Sequence, residues 1–169
     1  GQVLTSSGAG AGAVFEAAAS GGITYSSLWR VNTQFTGKAI PIVDNWEEYD
    51  AVGSAAATAR IGSAFSAPSS GIWTFPATGI WFIQFSVTWN EGDNVIKQTR
   101  GRIKCSRDGG SNMHNGAESE SHMPGENYTA TWNACFMLWD VEDTSNDKVQ
   151  FEVDDDDEDV ADVLCDTND

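Results

Sequence analysis

Histidine and cysteine, the side chains most readily used as base or nucleophile near neutral pH, are few in this 169-residue chain, two and three. Its two histidines, His114 and His122, fall in a Gly/Ser/Asn-rich stretch, 108–127, that reads as a long surface loop. Cys105 and Cys135 sit in strand-like runs, where a buried free thiol is the simplest reading, and Cys165 lies near the end of the chain. Three cysteines fit no metal-ligand spacing, and they leave open one disulfide with one free thiol. A Cys105–His114 pair is the one arrangement with nucleophilic potential, because such pairs form in space rather than in sequence. Surface-loop histidines are the plainer account. A Gly-x-Ser-x-Gly elbow, a P-loop and a dinucleotide fingerprint are all absent from the sequence. The chain reads as a non-enzyme.

Oxygen ligands are plentiful in one place. Residues 154–159 are all acidic, and Ca²⁺ takes about 6–8 hard oxygens. Asp154, Asp156, Asp157 and Asp159 are the candidate ligands. No Asp-x-Asp-x-Asp-Gly loop frames them, and in an extended chain alternate carboxylates point to opposite faces. A solvated acidic loop is therefore favoured over calcium, and no cofactor is required. The basic side chains Lys97, Arg100, Arg102, Lys104 and Arg107 are five of the nine in the chain. On one face they would suit an anionic glycan, but pairing with acids across strands or across a subunit interface is the favoured reading. Trp46 and Tyr49, in a polar connection, stand evenly between core and contact surface. With Arg100 and Arg102 they form the candidate surface contacts to a sugar or a protein.

The net charge of −16 argues against nucleic acid, whose binding depends on cations neutralising phosphates, and against anionic membrane surfaces. No run approaches the roughly 20 apolar residues of a membrane span. Residues 1–22 lack the basic start and apolar centre of a secretory leader. The chain opens at Gly1 without Met, as expected of a processed product or a fragment.

The elements that must position these groups are strands. Residues 79–90 carry Trp81, Ile83, Phe85, Val87 and Trp89 on one face and Gln84, Ser86 and Thr88 on the other, the period of a half-buried antiparallel strand. Pro76-Ala-Thr-Gly79 is a tight turn before it. Further strands are expected over 23–35, 39–43, 71–76, 95–106, 128–140, 148–153 and 160–165, with Trp132, Ala134, Phe136 and Leu138 sharing one face and Trp132 in the core. Helix is a minor component. The expectation is an all-β jelly-roll sandwich of about eight to ten antiparallel strands over 23–169. An extended connector over 1–22 precedes it, because that Gly/Ala/Ser-rich stretch buries too little surface to order alone.

Two resemblances sharpen this reading. The opening GQVLTSSGAGA resembles a short segment that recurs in bacteriophage tail-fibre and appendage proteins just ahead of a globular head. The stretch 71–85, with Phe75, Pro76, Gly79, Trp81 and Phe85 in place, resembles the jelly-roll head of the complement and tumour necrosis factor superfamily. So does 134–153, although Asn146-Asp147-Lys148-Val149 replaces the Gly-Asp turn common there. The resemblance implies a ten-strand jelly roll assembling as a compact homotrimer around apolar side chains. It also implies calcium near the trimer axis, which the acidic run would hold.

Together these features point to a non-enzymatic virion protein on the particle surface, the head of a trimeric tail or capsid fibre. Its partners would be itself, other virion proteins through residues 1–22, and a host-surface glycan or protein. The alternatives are a capsid decoration or cement protein and a secreted cellular jelly-roll binding domain.

Overall fold

The computed structural model describes residues 2–5, 9–10, 12–17, 22–49, 60–63, 65–91, 96–123, 129–155 and 161–164. Among them there is no helix; every regular element is a strand in an antiparallel pair. In chain order these are β1 (Gln2–Thr5), β2 (Val14–Ala17), β3 (Ser26–Ser27), β4 (Trp29–Val31), β5 (Phe35–Thr36), β6 (Trp46–Glu48), β7 (Arg60–Ile61), β8 (Ile72–Thr74), β9 (Gly79–Glu91), β10 (Ile96–Ser106), β11 (His114–Met123), β12 (Thr129–Val141), β13 (Lys148–Asp154) and β14 (Asp162–Leu164).

Two four-stranded sheets make the sandwich. One runs β11-β10-β13-β8 and the other β12-β9-β14-β5. The pairs β3–β7 and β4–β6 cover one end, and β1–β2 forms a separate hairpin inside the stretch expected to be an extended connector. All-β architecture, two antiparallel sheets and a jelly-roll order of strands are what the alternating pattern predicts.

The inward face of β9 is the one its alternation indicates: Ile83, Phe85, Val87 and Trp89 are buried, Trp89 completely. Opposite them lie Ile103 on β10 and Val149 and Val153 on β13. At one end the core is aromatic. Trp73 sits edge-on to Trp29 at 4.9 Å, Trp46 at 5.2 Å, Phe65 at 6.1 Å and Phe151 at 6.1 Å. Gly79 has φ +125°, the conformation that the Pro76–Gly79 turn needs and that only glycine adopts freely.

The two sheets are also tied by polar groups. Thr99 is fully buried and donates its hydroxyl to the Asn133 side-chain oxygen at 3.2 Å; the Asn133 amide donates back to the Thr99 carbonyl at 3.3 Å. Two residues on, the Cys135 thiol donates to the Gly101 carbonyl at 3.5 Å.

Three expectations are corrected. The stretch 108–127 is not one long loop: after a turn, His114–Met123 forms β11, paired with β10 along its length. Its half-buried side is Ala117, Ser119 and Ser121, small residues that carry no hydrophobic signal but leave room at the edge of the sandwich. Gly116 goes further, since a Cβ there would stand 2.5 Å from the Met137 sulfur of β12. Second, Trp132, Phe136 and Leu138 point outward, because Trp132 pairs with Thr88 and Phe136 with Gln84 on the outer face of β9. Asn133, Cys135 and Val141 take the buried side. Third, 23–35 is not one strand but β3, β4 and the start of β5, and 39–43 contributes only the Ala39–Val153 bridge.

Candidate functional site

The two outer faces of the sandwich differ in chemistry. On the β11-β10-β13 sheet the outward residues are charged and stand in cross-strand register. Arg102 lies between Glu118 and Glu152, and Arg100 between Glu120 and Asp154. Arg102 donates from Nε to Glu118 and from Nη2 to Asp154 at 3.0 Å. Glu152, whose side chain is only 4 % exposed, has Arg102 and Lys104 each at 3.8 Å and accepts from Gln150 at 2.9 Å. Arg100 reaches Glu120 at 3.3 Å and Asp154 at 3.6 Å. Burial works against the Arg102 charge, but hydrogen bonds to Glu118 and Asp154 outweigh it and hold its pKa above the ordinary value. Hydrogen bonding by Gln98, then by Arg100, lowers that of Glu120.

Of the basic set, Arg100, Arg102 and Lys104 stand in this cross-strand lattice, Arg107 reaches Glu142 at 3.5 Å and Asp147 at 3.4 Å, and the Lys97 side chain lies outside the described residues. Arg100 and Arg102 already face carboxylates, so an anionic glycan would compete with partners held in register. Asp154 belongs to the same lattice as the last residue of β13. Next to it Asp155 is buried and accepts the Ala161 amide at 3.1 Å. Asp156, Asp157 and Asp159 lie outside the described residues. Among the described residues no three His, Cys, Asp or Glu side chains converge as a metal site.

The outer face of the β12-β9-β14 sheet is apolar. Ile80, Phe82, Trp132, Phe136 and Leu138 are each 60–70 % exposed, and Leu164 of β14 adjoins them beside Thr88. Phe82 and Phe136 touch, with ring centroids 5.9 Å apart. The rest of the face is Gln84, Ser86, Thr88, Asn90, Ala130 and Ala134, and its ionisable groups, Asp140 and Asp162, lie at the ends of their strands. Its three aromatic rings alone present on the order of 400 Å². With the three aliphatic side chains the face approaches the roughly 800 Å² that each partner contributes to a stable interface, beyond the few hundred Å² usual for a monomer's largest apolar patch. Sequence reasoning missed this face because both parities of β12 are apolar, and Phe82 falls out of phase with the dominant stripe of β9.

Trp46 donates its indole N–H to the Ile42 carbonyl at 3.1 Å and packs on Trp73 and Phe151, so it belongs to the rim of the core. Tyr49 is half-buried, with the Arg30 guanidinium 5.4 Å from its ring centroid. Cys105 and His114 are directly paired across β10 and β11, but the thiol meets the His114 backbone carbonyl, at 3.8 Å. Burial raises the Cys105 pKa and pushes that of Cys135 up to about 11. The thiolate is the nucleophile, so neither is activated. Native protein at neutral pH should alkylate Cys135 roughly a hundredfold more slowly than urea-unfolded chain. Mass spectrometry of the peptides after iodoacetamide treatment checks this, and fast native labelling would contradict it.

No family model and no curated protein matches the sequence. Solved structures do match the fold. A crystal structure of murine APRIL at pH 5.0 is similar with a TM-score of 0.53 and 12 % identity, over 82 % of this chain and 95 % of that one. A second murine APRIL structure, at pH 8.5, gives 0.47 and 13 % over 85 % and 91 %. At such identity the first likeness concerns the fold alone, and it supports the tumour necrosis factor-like jelly roll expected from 71–85 and 134–153.

Proposed function

We propose that this jelly roll is a non-enzymatic, homotrimeric head of a virion fibre that holds the particle to a host surface. The observation that carries the trimer is the apolar outer face of β9 and β12, set against an opposite face of paired charges. A sandwich with one exposed apolar face and one face whose charges are already paired within the chain associates through the first. The apolar face is the seat of self-association, and the lattice of β10, β11 and β13 is turned outward. Host attachment and fibre origin are supported by the resemblance of GQVLTSSGAGA to segments ahead of phage fibre heads and by the net charge of −16, and the non-enzymatic reading by the buried Cys105 and Cys135 thiols. Attachment then works through avidity, since several weak contacts held together outlast any one of them.

Light scattering on the purified chain tests the reading. The expected solution mass is three times the 18.1 kDa of one chain. The same measurement in calcium and in chelator shows whether the acidic run contributes. A stable monomer at micromolar concentration would overturn the trimeric head and favour a decoration protein that covers its apolar face on a capsid.

A further inference from the structure

Hairpin β1–β2 forms a sheet of its own, apart from both sheets of the sandwich. Leu4 and Phe15 are direct cross-strand partners, so they share one face, and they are 60 % and 67 % exposed. A lone two-stranded hairpin is marginal in water and needs something to pack on.

We infer that the Leu4–Phe15 face packs against the same face of the hairpins of the other copies, as a second seam of self-association formed only after the heads have assembled. This rests on the trimeric reading above. The area decides the order of events. One Leu and one Phe at that exposure offer on the order of 200 Å², far below the roughly 800 Å² per partner of an independent interface. The hairpins therefore cannot bring copies together. Proximity can do what area cannot. Only residues 18–21 separate β2 from the described chain at Gly22, and the five Cα–Cα steps from Ala17 to Gly22 reach at most about 18 Å. Tyr25, three residues past Gly22, packs on Trp81 of β9 with ring centroids 5.8 Å apart, which roots the tether at the strand carrying the apolar face, and three hairpins held there meet at an effective concentration in the millimolar range or above.

Hydrogen exchange of peptides covering β1 and β2 tests this, with solution mass recorded on the same samples. In the wild-type trimer the hairpin amides should be protected. Leu4→Asp/Phe15→Asp should remain trimeric yet exchange across 2–17 like an unstructured chain. Phe136→Asp, or Phe82→Asp if that variant folds poorly, should become monomeric and lose hairpin protection while β9 and β10 keep theirs. Protection that persists in the monomer would overturn the inference, because the hairpin would be held by its own head. So would a hairpin unprotected in the wild-type trimer, which would need another partner, or protection that survives the double substitution. A wild-type monomer would show in the mass alone and fail the trimeric reading before any exchange is measured.

Discussion

Phe136→Asp is expected to turn the trimer into folded monomers. The Phe136 ring stands on the outer face of β12 against Phe82 and faces solvent in the single chain. Fold stability should therefore fall by only about 1–2 kcal/mol, the loss of one exposed ring pair and of strand propensity. In the trimer the same position would be dry, and a carboxylate there loses water with nothing to replace it. Removing a central aromatic anchor usually costs about 2–4 kcal/mol of binding, or roughly 30- to 1,000-fold in dissociation constant. Light scattering with an unchanged circular dichroism spectrum reads both halves. If attachment rests on avidity, the monomer should also bind the host surface about 10²- to 10⁴-fold more weakly than the trimer. A trimer that survives both Phe136→Asp and Leu138→Asp would place self-association on another surface.

Trp73→Ala should have the largest effect on the fold itself. Trp73 is nearly inaccessible, and Trp29, Trp46, Phe65 and Phe151 pack around it from β4, β6, the 65–69 segment and β13. Truncating a buried aromatic to Ala costs about 3–5 kcal/mol, a large part of the roughly 5–15 kcal/mol available to a domain. The damage should concentrate at that end of the sandwich, since β3, β4, β6 and β7 are short strands with few ladder bonds of their own. Urea denaturation should show a lowered midpoint. Loss of the near-ultraviolet aromatic signal should precede loss of the β signal. A shift below about 1 kcal/mol would mean that the ring is dispensable to the packing described.

The parts that the sequence made legible are those where one parity is apolar and the other polar. β9 is such a strand, and its buried face follows directly from its alternation. β12 is not: Trp132, Phe136 and Leu138 compete with Cys135, Met137, Trp139 and Val141, and only the register against β9 decides between them. The apolar face was therefore invisible as a surface although every residue in it was in view. β11 was hidden for the opposite reason, because its inner side is Ala117, Ser119 and Ser121, and its outer side looked like solvated loop. With it went Glu118 and Glu120, two of the carboxylates that face Arg102 and Arg100. The basic half of the lattice could be read from alternation along β10; the acidic half came from strands that tertiary pairing defined.

The tie between Thr99 and Asn133 bears on how such a head behaves under load. An apolar interior tolerates sliding one sheet past the other by two residues, since parity is kept and methyl groups meet methyl groups. The Asn133 amide does not tolerate it. A two-residue slip of β12 along β10 would carry that amide away from Thr99 and leave it buried without its partner, at a cost of about 1–3 kcal/mol. Together with the Cys135 thiol on the Gly101 carbonyl, the pair works as a tooth between two mostly apolar plates, so tension along the strands meets a discrete yield point rather than gradual creep.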